Sequence, residues 1–145
     1  MSHANPALML RLLKSTLSKN NVDYDRLAEE FGQLTSAERR RNRESFSLSD
    51  HVRGLVLSQL SANRPWKPIA ANLSKLATLF KDYDWVYLKS VDPDILVSGI
   101  LDLKCGSRTT RFQITSLKSN IETFEDIQRH FGQIDRFIEM LRQKR

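Results

Sequence analysis

Apolar residues recur along this chain at intervals of three and four, the spacing of one helix face, and nowhere in the strict alternation of a half-buried strand. Leu8, Leu12 and Leu13, with Met9 and Leu17 beside them, predict a helix to about Lys19, with Asn5 as its N-cap and Pro6 as its first residue. Tyr24, Leu27 and Phe31 predict a short second helix that Gly32 can end. Thr35 and Glu38 have capping-box spacing and open a helix carrying Arg39, Arg40, Arg41 and Arg43. From Ser47 the pattern sharpens: Ser47 and Asp50 again have the spacing of a cap, and Val52, Leu55, Val56 and Leu60 follow. Pro65 interrupts the run, in a turn or at the opening of a helix whose apolar face is Trp66, Ile69, Leu73, Leu76 and Phe80. Trp85-Val86-Tyr87 leaves helix and extended backbone both open. Asp92-Pro93 starts a helix through Ile95, Leu96, Ile100 and Leu101, and Gly106-Ser107 precedes one whose buried stripe is Phe112, Leu117 and Ile121. Thr123 and Asp126 cap another with Phe124, Ile127 and Phe131, and Ile134, Phe137, Ile138 and Leu141 lie on the last, after Gly132. The pattern predicts an all-α fold, a compact multi-helix bundle of about eight or nine helices on short connections.

Composition narrows the class. Of 145 residues, 40% are hydrophobic, enough for one core, and 28% are charged. The chain reads as a single helical domain, residues 1–145. A lone cysteine, Cys105, excludes a disulfide framework, a cysteine-rich zinc site and a four-cysteine iron–sulfur cluster within one chain, and favours a reducing, cytoplasmic setting. No stretch approaches the roughly 20 apolar residues of a membrane span, so no membrane partner is expected. The apolar patch Ala7 to Leu13 is broken by Arg11 and lacks a small-residue cleavage pattern, so it does not read as a signal peptide. Lys and Arg outnumber Asp and Glu by 23 to 17, a net charge of +6 that favours anionic partners, nucleic acid first.

Familiar catalytic patterns are missing. His3, His51 and His130 have no zinc-hydrolase spacing, and neither a phosphate-cradling glycine loop nor a nucleophile elbow occurs. No metal and no cofactor is expected. Lys104 and Arg108 would lower the Cys105 thiol pKa if the side chains met, whereas the plainer reading is a half-buried cysteine at a helix entrance. Asp82, Asp84, Asp92, Asp94 and Asp102 stand near helix starts, where caps and the helix dipole favour carboxylates.

Leu55-Val56-Leu57-Ser58-Gln59-Leu60-Ser61, with Trp66 after it, resembles the helix-end motif of the helix-hairpin-helix DNA glycosylase superfamily, which includes endonuclease-III-like enzymes and 3-methyladenine glycosylases. The order after it is similar too. Leu73 to Phe80 resembles the family's next helix, and Ser90-Val91-Asp92-Pro93-Asp94-Ile95-Leu96 its Asp-Pro segment. Ile100 to Ile121, with Lys104-Cys105-Gly106-Ser107-Arg108, resembles the helix entrance that follows. The resemblance covers about half the chain, a glycosylase-like segment 47–121 between N-terminal helices (1–46) and C-terminal helices (122–145). The family's phosphate-gripping hairpin does not occur, because Gly32, Gly54, Gly99, Gly106 and Gly132 stand alone. No residue is carried over as the catalytic Asp or Lys, which in the family come at or after that hairpin. The resemblance implies that Leu60, flanked by Gln59 and Ser61, fills the gap left by a flipped base, with Asn63 and Arg64 touching the backbone beside it. On its own spacing, Leu60 is equally the last core leucine of the 52/55/56/60 stripe.

Two basic patches remain. Arg39, Arg40, Arg41 and Arg43 wrap their helix, since consecutive residues point about 100° apart, and Glu38 and Glu44 can pair with them locally. Lys104, Arg108, Arg111 and Lys118 share one face beside a helix start at Gly106-Ser107, a phosphate site where free amides and positive charge converge. The leading expectation is a DNA-glycosylase-like helical protein, incomplete and non-catalytic, that binds DNA through its backbone in a base-excision-repair context. A small helical protein–protein interaction module and an active DNA glycosylase with a rearranged site are the alternatives. If the chain is a truncated gene product, a second copy or a protein partner is expected over the missing half, with Phe131, Phe137 and Ile138 left exposed.

Overall fold

The computed structural model describes residues 6–23, 33–62 and 64–143, and among them the secondary structure is helix with no strand. The fold class is all-α. By its contacts the chain divides into two units, Met1–Glu44 and Ser45–Arg145. Among the described residues no helix is long and apolar enough to cross a membrane.

The first unit contains α1, Pro6–Lys19, and α2, Gln33–Arg41. Leu8, Met9, Leu12 and Leu13 of α1 are each about half exposed. The helix ends in a Schellman motif: Asn21 takes a left-handed φ of 56°, its N–H donates to Ser18 O, and the Val22 N–H donates to Leu17 O at 2.9 Å. Thr35, expected at the N-cap of α2, lies inside the helix. Arg39, Arg40 and Arg41 fill its last turn, where the carbonyl dipole favours cations, and Arg39 also pairs with Glu44 at 3.2 Å. Asn5 and the helix expected over Tyr24 to Phe31 lie outside the described residues.

The second unit begins with α3, Leu48–Ser61, opened by the capping box that its spacing predicts. The Ser47 N–H donates to Asp50 Oδ2 at 2.9 Å while the Asp50 N–H donates back to Ser47 Oγ at 3.1 Å. Leu48, Val52, Val56 and Leu60, four residues apart, form its buried stripe. Pro65 lies in irregular backbone between α3 and the next helix, opening neither, and α4 follows at Lys67–Ala70, then α5 at Leu73–Leu79. Trp85-Val86-Tyr87 is helical, not extended: α6, Trp85–Ser90, starts because the Asp84 carboxylate accepts from the Val86 and Tyr87 N–H groups. Asp92 likewise caps α7, Pro93–Asp102.

The next segment departs from expectation. A single helix from Gly106 is replaced by α8, Thr110–Thr115, a bend at Ser116, and α9, Leu117–Phe131, which runs through Thr123 without a new start. Thr123 is no cap; its hydroxyl donates to Ser119 O one turn back. Gly132, at φ 77°, ends α9, and α10 covers Ile134–Gln143. The core joins Val52, Val56 and Leu60 to Ile69, Leu76, Phe80, Leu96, Ile100, Ile114, Leu117 and Ile121. Each such buried aliphatic side chain contributes about 1.5–3 kcal/mol. Lys89 ties α6 to α9, reaching Glu125 at 2.8 Å and lying 4.8 Å from the Trp85 ring centroid. His51, ringed by Phe46 and Phe124, stands 3.5 Å from Asp135, whose carboxylate also accepts the Phe46 N–H, so the start of α10 is held to the start of α3. Phe131 and Phe137 pack on each other at 4.9 Å and are half-buried, as is Ile138.

Candidate nucleic-acid interface

The end of α3 and the α7–α8 loop, forty residues apart in sequence, meet. From the turn after α3, the Arg64 guanidinium donates to Gly106 O and, at 3.2 Å, to Lys104 O. Asn72 adds a second stitch, its amide donating to Pro68 O at 2.9 Å and Leu103 O at 3.4 Å. From α8, Gln113 Nε2 donates to Gln59 O at 3.0 Å. The two stretches singled out by sequence, 59–64 and 104–118, are therefore neighbours.

The loop between them is held by its own chemistry. Lys104 closes α7 in the left-handed region at φ 55°, its N–H donating to Leu101 O while the Cys105 N–H donates to Ile100 O. The Ser107 N–H donates to Thr110 Oγ1 at 2.7 Å, and the Thr109 N–H to Ser107 Oγ at 3.3 Å. These side chains occupy amides that the sequence reading left open for a phosphate. The helix there starts at Thr110, not Gly106. Two amides of the loop before this helix are thus taken by side chains, while no side chain caps the helix itself.

Lys104, Arg108, Arg111 and Lys118 are exposed. Arg111 forms a surface ion pair with Asp94 at the start of α7. Such exposed pairs are worth about 0–1 kcal/mol, so the guanidinium can exchange its carboxylate for a phosphate at small cost. Arg64 faces inward to the two carbonyls and is partly buried. Asn63 lies outside the described residues.

The proposed wedge is corrected. Leu60 is 3% exposed and packed in the core, so its side chain is not available to enter a base stack without unpacking α3. Ser61 Oγ donates back to Ser58 O at 3.0 Å, a helix-end bond. Gln59 is half-buried, and its Oε1 is buried with no hydrogen-bond partner among the described residues.

Cys105 is fully buried, not half-buried, with Sγ against Pro68 O and Leu103 O. Burial pushes its thiol up, while the opposing pull of Arg64 and the hydrogen bond from Asn72 are smaller. A thiol so held is a packing group, not a nucleophile. Among the described residues no group of three or more His, Cys, Asp or Glu side chains could hold a metal ion.

Sequence reasoning missed Phe112. Expected in the core, it is 76% exposed, and Ile114 takes the buried place at 3%. The signal was present. Ile114, Leu117 and Ile121 are spaced three and four apart, as a helical stripe requires, whereas Phe112 to Leu117 is a step of five. No family model, curated protein or solved structure matches this chain.

Proposed function

We propose that this chain is a DNA-binding protein on a glycosylase-like helical scaffold, gripping the sugar–phosphate backbone without cleaving a glycosidic bond. One observation carries the reading: a loop anchored by Arg64 and its own hydroxyls presents Lys104 and Arg108, and α8 and α9 add Arg111 and Lys118, all exposed. A fixed backbone lowers the entropy lost when these cations meet phosphates. The net charge of +6 favours the same partner.

Fluorescence anisotropy of a labelled duplex against salt tests this directly. Four phosphate contacts give a slope of log K on log salt of about −3 to −4, at about −0.9 per phosphate. The double variant Arg108→Ala/Lys118→Ala reduces the slope by about 2. Salt-independent binding, or none, rejects the reading, and release of bases from a panel of damaged duplexes replaces it with an enzymatic one.

A second reading, a protein-interaction module, rests on α1. Its exposed Leu8, Met9, Leu12 and Leu13 share the helix with Arg11, Lys14 and Lys19 and with no carboxylate. The complementary occupant is an acidic amphipathic helix, since a second copy would set like charges together. Sedimentation of the intact protein as a monomer, with the DNA affinity unchanged by Leu12→Asp, agrees with this assignment; a dimer that Leu12→Asp dissolves rejects it.

A further inference from the structure

Phe112 is the most exposed large hydrophobic side chain among the described residues, at 76%. Its orientation is imposed by the helix that carries it. Thr110 and Ile114, two positions to either side, are buried at 2% and 3%. A residue two positions from each is turned about 200° away and so faces outward. The Gln113 amide, bonded to Gln59 O, pins α8 to α3 and prevents a roll that would bury the ring.

The residues nearest to it in sequence are polar or cationic. Arg108 lies four residues before it, Thr109 and Thr115 three to either side, and Arg111 next to it. No other apolar residue of α8 shares its exposure; Ile114, the remaining one, is in the core. A single exposed aromatic on α8, beside cations of which Arg111 is paired with Asp94, is a poor centre for a protein interface, which needs a larger apolar cluster. It is well suited to a nucleobase, whose π-face stacks on the ring while the flanking phosphates meet Arg108 and Arg111.

We infer that Phe112 is a stacking platform for an unpaired base, so that this face prefers single-stranded DNA or a duplex carrying an unpaired nucleotide over a fully paired duplex. In a paired duplex both faces of each base are already stacked and the ring has nothing to cover. The inference rests on the DNA reading above and names the substrate class of the same surface. It also moves the aromatic or apolar contact with a base from Leu60, which is buried, to a side chain that is exposed.

The test uses the intact protein and three labelled probes: an oligothymidylate, a duplex with one unpaired thymidine, and the matching paired duplex. Phe112→Ala weakens binding to the first two roughly tenfold, leaves the paired duplex within about twofold, and keeps the salt slope, because stacking adds affinity without displacing counterions. Phe112→Trp retains the preference, whereas Phe112→Leu loses most of it. As the ring is exposed, these variants fold normally, which their thermal unfolding checks. An equal loss on all three probes, or no loss on any, overturns the platform. So does a sedimentation result in which Phe112→Ala converts a dimer to monomer, which assigns the ring to self-association. If the unmodified protein binds none of the probes at low salt, the DNA reading itself falls. If it binds with the expected salt slope but ignores Phe112→Ala, only the platform does.

Discussion

Arg64 donates to the carbonyl of Lys104 at 3.2 Å, and the same guanidinium holds Gly106 O, so one side chain spans two backbone groups of a loop forty residues away. Planarity and several donors in a fixed fork make this reach an arginine property. Arg64→Ala removes both bonds and leaves the partly buried Gly106 carbonyl short of a donor, while the exposed Lys104 carbonyl is left to water. The expected loss of stability is about 1.5–3 kcal/mol, read as a lower urea midpoint. Arg64→Lys recovers only part of it, because one ammonium cannot present a fork. DNA affinity falls too, through loosening of the segment that carries Arg108, and equal affinity in Arg64→Ala would disconnect the loop from binding.

Alkaline pH tests the buried acids. Burial raises the Cys105 thiol above its ordinary value of 9.0 and the Tyr83 phenol above 10.0; at Tyr83 Arg53 opposes the shift and Asp82 adds to it. For a folded-state pKa that is raised, the unfolded chain gives up its proton first and binds fewer protons. Stability is therefore fully present below the ordinary values and falls as pH climbs through the raised ones. Urea unfolding should show a declining midpoint above pH 9.0, with a smaller decline in Cys105→Ala once its own lower baseline is subtracted. At pH 8 the native thiol should resist alkylation and react only after denaturant is added, and rapid native labelling would place it outside the core.

Helix ends supply a third prediction. Lys81 follows α5 at φ 50°, its N–H donating to Thr78 O while the Asp82 N–H donates to Ala77 O, a Schellman ending with no glycine. The left-handed conformation costs an L-residue about 1–2 kcal/mol, partly offset by the greater backbone freedom glycine loses on folding. Lys81→Gly should therefore raise stability by about 0.5–1 kcal/mol. Gly132→Ala, at φ 77° with open space around its Cβ position, should lower it by about 1 kcal/mol from backbone strain alone. Opposite signs from the two exchanges are required.

The same residues explain what could be read in advance. The helix starts at Ser47 and Asp92 were legible because these side chains satisfy amides within three residues, whereas Thr35 and Thr123, with the same cap spacing, lie inside helices. The end of α1 near Lys19 was legible, but the helix ends before Arg43, Lys81 and Lys104 were not, because these residues occupy left-handed positions where glycine is the usual marker. The core stripe Val52, Val56 and Leu60 followed from spacing, and that spacing outweighed the motif that would have turned Leu60 outward. Of the candidate interface, the basic residues were visible as a cluster. The outward place of Phe112 was latent in the three-and-four spacing of Ile114, Leu117 and Ile121, but the anchoring of the loop was not, since it depends on contacts between α3 and the segment after α7 that no local pattern encodes.

Gln59 separates scaffold from binding in the motif at the end of α3. Its carbonyl takes bonds from Gln113 Nε2 and the Ala62 N–H, whereas its own side-chain oxygen is buried and unpartnered. An orphaned buried acceptor costs about 1–3 kcal/mol, and an apolar group of similar shape removes that cost. Gln59→Leu should thus leave stability unchanged or raise it by up to about 1 kcal/mol, with duplex affinity preserved. Gln113→Leu withdraws a donor from Gln59 O and frees α8, so it should lower stability by about 1 kcal/mol. It should also blunt the preference for unpaired bases, because Phe112 is then no longer held outward. A Gln59→Leu protein that keeps its stability yet loses DNA would return the motif to direct contact, and anisotropy with the three probes beside urea unfolding distinguishes the two.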